Sequence, residues 1–160
     1  MSIQSLLVGL VEARIEFVVI GGVAGAIHGS PFVTNDLDVC YDTSAANLLR
    51  VAKQLARWNA YPRGWDMGLP FTPDSRTLRT TPMMTLRTTE GDLDLLDRVE
   101  GVGSYRDAFE SSEEILAFAL RFRILTLDAL IRARLASARP KDLAQLPTLE
   151  ALAELKEGQS

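Results

Sequence analysis

The sequence is poor in cysteine, histidine and aromatic residues: among 160 residues there is one cysteine, one histidine, and 7% Phe, Trp and Tyr. A single cysteine, Cys40, excludes an internal disulfide framework and fits the reducing cytoplasm. No apolar run approaches the roughly 18 residues of a membrane span. The N-terminal residues lack the basic start of a signal peptide. We therefore expect a cytoplasmic protein with no membrane partner.

The overall charge is low, with a formal net charge of −4. The surface as a whole is therefore not expected to attract nucleic acid, although a local basic patch remains compatible with this balance. Hydrophobic residues make up 47% and charged residues 24%, which is ordinary for a globular protein. At this length we expect one domain, residues 1–160, with a sizeable buried core.

The most informative stretch runs from Phe17 to Cys40. Val18, Val19 and Ile20 form a β-branched run, which predicts a buried strand that ends at two glycines. Residues 23–29 are small and predict a short, closely packed helix, and residues 35–41 return to strand. The stretch thus predicts a strand, a glycine turn, a helix and a second strand in succession.

Two aspartates, Asp36 and Asp38, lie on the second predicted strand. At a spacing of two residues both carboxylates point to the same face. Two close carboxylates repel each other unless a cation lies between them, and their hard oxygen atoms suit Mg²⁺. The pair alone is equally compatible with a solvated strand end, because this spacing is common by chance.

Gly21 and Gly22 lie between the first strand and the helix. Glycine permits a ligand to approach the backbone, and a following helix N-terminus offers free N–H groups to an anion. A tight turn alone would also account for these glycines. Glycines followed by a strand with paired aspartates are more informative, because one element can hold phosphates while the next holds the bridging metal.

A third acidic residue is expected on a neighbouring strand. Asp94 lies between Leu93 and Leu95, where an isolated charge would be costly. Asp92 is expected at the turn and in solvent. We favour Asp94 as the third carboxylate of the site, and the alternative is that both aspartates lie on an exposed strand face.

The rest of the chain predicts alternating helices and strands. A proline- and glycine-rich loop at 58–74 contains four aromatic residues and is expected either to cover a core edge or to fold over the site. Residues 113–120 are compatible with strand or helix. The other predicted elements are helices 3–14, 44–57 and 126–138, a last helix from Pro140, and strands 83–88, 93–96, 115–119 and 122–126. This order predicts an α/β or α+β fold with a mixed sheet and C-terminal helices.

Basic residues concentrate near the C-terminus. The cluster is either a solvated face or a surface for a triphosphate or an RNA end, and Arg134 and Lys141 are the members expected to point inward. Its members are Arg121, Arg123, Arg132, Arg134, Arg139 and Lys141. His28, at a predicted helix end, is interpreted as structural rather than as a nucleotide contact.

These motifs together resemble the polymerase-β-type nucleotidyltransferases. The resemblance rests on Gly21-Gly22, His28-Gly29, Thr34, Asp36-Leu-Asp38 and Gly91-Asp-Leu-Asp94-Leu-Leu. Residues 127–143, with the Lys141-Asp142 step, are similar to the small branch around the AbiEii-type toxins of type IV toxin–antitoxin systems. The resemblance covers nearly the whole chain.

The resemblance implies transfer of a nucleoside monophosphate from an NTP to an RNA or protein acceptor. Two Mg²⁺ ions would be held by Asp36 and Asp38, and Asp94 would bind one of them and help activate the acceptor hydroxyl. Lys141 and Arg134 would neutralise phosphate charge, and Gly21, Gly22 and Thr34 would line the nucleotide site. An antitoxin-like partner is a further implication.

Two positions differ from the family pattern. Phe32 stands where an arginine often precedes the aspartates, and Gly22 stands where many active transferases have serine. The hypothesis of a Mg²⁺-dependent nucleotidyltransferase is therefore weighed against a non-catalytic nucleotide-binding or interaction protein that retains the fold. In a third interpretation the aspartates form only a solvated strand edge.

Overall fold

The computed structural model describes residues 2–159, which form a seven-stranded mixed sheet flanked by helices. The elements are α1 (Ile3–Glu12), β1 (Phe17–Ile20), α2 (Gly21–Ile27), β2 (Asp36–Tyr41), α3 (Ala45–Arg57), β3 (Tyr61–Pro62), α4 (Ser75–Thr80), β4 (Met83–Thr88), β5 (Gly91–Leu96), β6 (Arg98–Val99), β7 (Gly103–Ser104), α5 (Tyr105–Glu110), β8 (Ser112–Ala117), β9 (Leu120–Leu125), α6 (Leu127–Ser137) and α7 (Pro140–Gly158). The predicted α/β class is confirmed.

The strand order in the sheet is β3-β4-β5-β2-β1-β9-β8, and β6 pairs with β7 separately. The pairs β2–β5 and β1–β9 are parallel, whereas the other neighbours in the main sheet are antiparallel. Strand β1, which lies inside the sheet between β2 and β9, is buried along its whole length, as its uninterrupted apolar sequence predicts. The acid-bearing strand β2 therefore lies in the middle of the sheet, next to β5.

Helices cover the sheet with apolar side chains. From α1, Leu6, Leu7 and Leu10 are buried at helical spacing, and from α3, Leu48 and Leu55 are buried against the same core. The N-cap of α1 is the side chain of Ser2, which accepts a hydrogen bond from the backbone N–H of Ser5. No helix within residues 2–159 is long and apolar enough to cross a bilayer.

Several elements differ from the sequence prediction. The helix expected over 23–29 is α2, which spans Gly21–Ile27. Gly21, with its positive φ of 64°, makes the turn that leads from β1 into this helix. Residues 112–125 form a hairpin of β8 and β9, so the helical alternative for 113–120 is wrong. The short elements α4, α5, β3, β6 and β7 were not predicted, because their sequences are too brief for a periodic pattern.

Candidate functional site

The parallel pairing of β2 with β5 brings the predicted carboxylates together. Asp36 lies opposite Asp92, and Asp38 lies opposite Asp94, in the register of the two strands. The alternating residues Leu37 and Leu93 are fully buried and hold both strands against the core. Asp92 thus belongs to β5 rather than to the preceding turn where it was expected.

Asp38 is the most perturbed acid of this group. Burial, followed by a hydrogen bond with the Asp94 carboxyl and the negative charges of Asp94 and Asp36, raises the pKa of Asp38 to about 7. Its Oδ1 atom is buried and has no hydrogen-bond partner within residues 2–159. An unpartnered buried carboxylate oxygen costs free energy unless a cation or a proton satisfies it.

Arg63 is a site residue that the sequence did not predict. Its Nη2 atom donates a 2.6 Å hydrogen bond to Asp94 Oδ1 and lies 3.7 Å from Asp36 Oδ2. Burial disfavours the charged guanidinium, but the hydrogen bond and charge of Asp94 outweigh this effect and raise the pKa of Arg63. The loop expected to cover a core edge or the site does both, since Trp58 is buried in the core while Arg63 reaches the carboxylates.

The two glycines form a tight cradle beside the acids. Gly21 has a φ of +64°, a conformation that favours glycine, and any Cβ there would overlap Asp38 Oδ2. A Cβ on Gly22 would lie 2.8 Å from Thr34 Oγ1. Thr34 therefore fills the space into which a side chain at position 22 would project. Its hydroxyl also donates a 3.2 Å hydrogen bond to the backbone carbonyl of Asp36.

A polar cleft lies between this cradle and the two C-terminal helices. Gly22, Thr34, Asp36 and Asp38 line one side. On the opposite side, α6 and α7 contribute side chains of both polar and apolar character, namely Leu130, Arg134, Arg139, Lys141, Gln145 and Leu149. The cavity has a volume of about 70 Å³. Ligand pockets commonly measure about 300–1,000 Å³, so the cleft in this conformation is smaller than a usual small-molecule site.

The predicted cations of this cleft differ in their environments. Lys141 is exposed at the start of α7. Arg134 instead donates a 2.7 Å hydrogen bond from Nη1 to Asp142 Oδ1, although its positive charge also opposes part of the rise in the pKa of Asp38. The structure thus brings both residues to the cleft, but it pairs Arg134 with an acid.

Asp142 is fully buried and accepts three hydrogen bonds. Besides Arg134, Ser137 donates from Oγ at 2.6 Å and Arg139 donates from Nε at 2.9 Å. Burial opposes ionisation of Asp142, but these hydrogen bonds and the arginine charges outweigh it and lower the pKa to about 2. The sequence pattern includes Asp142 only as part of the Lys-Asp step and does not predict its arginine partners.

Three other residues considered from the sequence lie outside the carboxylate group. Cys40 is fully buried in β2, and burial raises the pKa of its thiol to about 12. His28 bonds through Nε2 to the backbone carbonyl of Leu125 at 2.8 Å, which supports its structural interpretation. Phe32 is partly exposed and lines the cleft where a cation was expected from the family pattern.

The donor set suits a hard divalent cation, but the acids are not arranged around one point. Within residues 2–159, no three His, Cys, Asp or Glu side chains converge as a metal site. Asp36 and the unpartnered Oδ1 of Asp38 offer oxygen ligands that fit Mg²⁺. Asp94 is bound to Arg63 instead. The assignment of Asp36, Asp38 and Asp94 as metal ligands therefore stays a prediction.

Comparison with known proteins identifies a shared fold. No protein-family model matches the sequence, and no curated protein does either. A crystal structure from Thermotoga maritima, provisionally named a nucleotidyltransferase, matches with a TM-score of 0.54 and 15% identity over 99% of this chain and 96% of that chain. An antigenic nucleotidyltransferase-like protein from Paracoccidioides brasiliensis matches with a TM-score of 0.58 and 15% identity over 94% of this chain and 74% of that chain.

These similarities support the predicted fold. The chain has the mixed-sheet architecture seen in nucleotidyltransferase-type structures. At this level of identity the likeness concerns the fold alone. The closer resemblance to the AbiEii-type branch stays a prediction.

Proposed function

We propose that this protein is a Mg²⁺-dependent nucleotidyltransferase that moves a nucleoside monophosphate from an NTP to an acceptor. The observation that carries the proposal is the parallel register of β2 and β5, in which Asp38, a residue of the cleft lining, lies opposite Asp94. A fold shared with nucleotidyltransferase-type structures supports the same reaction class. The acceptor class is an RNA or a protein side chain.

Each residue of the site has a role in this reaction. Asp36 and Asp38 would hold one or two Mg²⁺ ions, Asp94 would bind one of them, and the ions would supply charge stabilisation to the phosphates. The acceptor oxygen forms a bond to the α-phosphorus, pyrophosphate leaves, and the Asp94 carboxylate takes the acceptor proton. Gly22 and Thr34 line the cleft and, with the adjacent Gly21, would lie close to the phosphates, whose charge Lys141 would neutralise.

Arg134 has a modified role in this proposal. Since Asp142 already pairs with it, Arg134 positions the start of α7 and contributes long-range positive charge to the cleft. Direct contact with phosphate would require Asp142 to release it.

A second candidate is a nucleotide-binding or interaction protein without turnover. It is favoured by the engagement of Asp94 with Arg63 and of Arg134 with Asp142, which leaves both groups committed to internal partners. Within this second candidate, the small cavity volume of about 70 Å³ favours an interaction protein over a nucleotide-binding one.

The biological setting that we propose is a toxin of the AbiEii type acting in the cytoplasm with an antitoxin-like partner. This proposal is supported by the sequence resemblance of the site motifs and of residues 127–143. An adjacent gene for a small antitoxin-like protein would support it, whereas an unrelated gene neighbourhood would count against it.

The central test asks whether an NTP added together with Mg²⁺ raises the thermal unfolding temperature of the protein. A ligand at 100 times its Kd stabilises a protein by about 2.7 kcal/mol. Absence of a shift with all four NTPs would refute the nucleotidyltransferase and the nucleotide-binding form of the second candidate. A shift without transfer of label from NTP to bulk RNA or cell protein would favour the second candidate.

Variants of the carboxylates separate binding from chemistry. Asp36→Ala and Asp38→Ala are expected to abolish transfer, and persistence of label in both would refute their assignment as metal ligands. Asp94→Asn is expected to abolish transfer while sparing some NTP binding. Asp107→Asn is a matched control, because this acid caps α5 away from the cleft.

A further inference from the structure

The guanidinium of Arg63 lies where positive charge is needed among the clustered acids. It makes a 2.6 Å hydrogen bond to Asp94 and is 3.7 Å from Asp36. The side chains of these acids are 12% and 41% exposed, so the pair with Asp94 is largely shielded from water. Arg63 therefore neutralises Asp94 and Asp36, two of the three carboxylates that the proposed function assigns to Mg²⁺.

The backbone that carries Arg63 is firmly held. The Arg63 N–H donates to the carbonyl of Thr85 at 2.9 Å, and Nη1 donates to the carbonyl of Leu86 at 2.8 Å. Just before it, β3 pairs with β4, and Tyr61 packs edge-on against Trp65 and Phe71 with ring centroids 6.3 and 6.0 Å away. The segment is thus anchored to β4 by its backbone, and its three aromatic side chains pack against one another.

The side chain of Arg63 can leave the carboxylates while its backbone stays in place. It is 25% exposed, so rotation about its own bonds can carry the guanidinium into solvent. This movement breaks its hydrogen bonds to Asp94 and to the carbonyl of Leu86 but does not separate β3 from β4. A guanidinium and a divalent cation on the same carboxylates repel each other, because both are positively charged and lie a few ångströms apart. Binding of one must therefore oppose binding of the other.

We propose that Arg63 is an internal counter-cation, which holds Asp94 and Asp36 in the metal-free protein and withdraws when a divalent cation binds. This inference rests on the proposed function for the position of the metal. Arg63 acts as a positioning residue through Asp94, and it makes occupancy of the site depend on displacement of a residue of the same chain.

The test is calorimetric titration of the full chain with Mn²⁺ and with Mg²⁺, in the absence of any NTP. Arg63→Gln is expected to bind both ions about tenfold more tightly than the wild type, because the competing ion pair is gone. Arg87→Gln is the matched control. Arg87 lies on β4 opposite Asp92, is exposed, and pairs with no acid within residues 2–159. It should change the affinity by less than about threefold.

Each outcome of the titration decides a different point. Equal metal affinity in Arg63→Gln and Arg87→Gln, or weaker affinity in Arg63→Gln, would overturn the role of Arg63 and leave the proposed function standing. Failure of all proteins to bind either ion, also when an NTP is added, would overturn both.

A second substitution covers the case in which Arg63→Gln does not fold by circular dichroism. Arg63→Lys keeps the positive charge but removes the planar guanidinium, whose Nη2 contacts both Asp94 and Asp36 while its Nη1 bonds the carbonyl of Leu86. Tighter metal binding by Arg63→Lys than by Arg87→Gln supports the inference. An affinity equal to or below that of Arg87→Gln would overturn it.

Discussion

Gly21 lies so close to Asp38 that any side chain at position 21 would overlap the Asp38 carboxylate. The same residue has a φ of +64°, where a non-glycine residue is strained. Gly21→Ala is therefore expected to lower the free energy of unfolding by about 1–3 kcal/mol and to displace Asp38. Urea unfolding measures the first effect, and loss of the thermal shift with NTP and Mg²⁺ measures the second.

A glycine without these constraints provides the control for this substitution. A Cβ added to Gly68 would meet no atom within 4 Å, and Gly68 has no positive φ. Gly68→Ala should leave both stability and NTP binding unchanged. Equal behaviour of the Gly21 and Gly68 variants would contradict the proposed cradle.

Thr34 occupies the space next to Gly22, so a serine at position 22 needs room that the wild type lacks. A Cβ on Gly22 would lie 2.8 Å from both Cβ and Oγ1 of Thr34. Gly22→Ser is expected to destabilise the protein by about 1–3 kcal/mol through overpacking. Adding Thr34→Gly should restore part of that loss. A double-mutant cycle in urea checks this coupling, and strictly additive effects would argue against it.

Asp142 is expected to make the free energy of unfolding depend on pH in the acid range. Its pKa of about 2 in the folded protein is below the usual 3.8. The stabilisation is therefore present above about pH 4 and is lost as the pH falls toward 2. Asp142→Asn is expected to lose on the order of 2 kcal/mol at pH 7. Chemical unfolding from pH 7 to pH 2 should show the difference between wild type and variant shrinking with acid, and a constant difference would contradict this.

Asp38 has the opposite dependence in the metal-free protein. Its pKa of about 7 in the folded protein lies above the usual 3.8, so the folded state retains a proton that the unfolded state loses. Stability is then expected to fall as the pH rises from about 4 to 7. With a chelator present at pH 8, Asp38→Asn should raise the free energy of unfolding by about 2–4 kcal/mol. A variant less stable than the wild type at pH 8 would show that the charged carboxylate is well satisfied.

The strands of the site could be predicted from the sequence because their patterns are local. Alternating leucines and aspartates in β2 and β5 determine which face each carboxylate takes, and Asp36, Asp38 and Asp94 lie close together as expected. Which strands are neighbours is not contained in such a pattern. The pairing of Asp38 with Asp94 needed the resemblance or the structure.

Arg63 and the partners of Asp142 could not be predicted for a related reason. Arg63 follows a strand of only two residues, and its position depends on pairing with β4. Arg134 and Asp142 lie on different helices, so their contact depends on how α6 packs against α7. Both are tertiary contacts of long charged side chains, whose direction the sequence does not determine.

The position of β1 in the sheet has a consequence for how the protein is synthesised. This strand lies between β2, the next along the chain, and β9, whose pairing joins Val18 to Arg123 and Val19 to Ile124. Until residue 124 has left the ribosome, one edge of the most apolar strand has no partner, and such an edge promotes aggregation. Truncation before β9 should therefore yield insoluble protein, and the cleft beside Asp36 and Asp38 should form only after the whole sheet has been made.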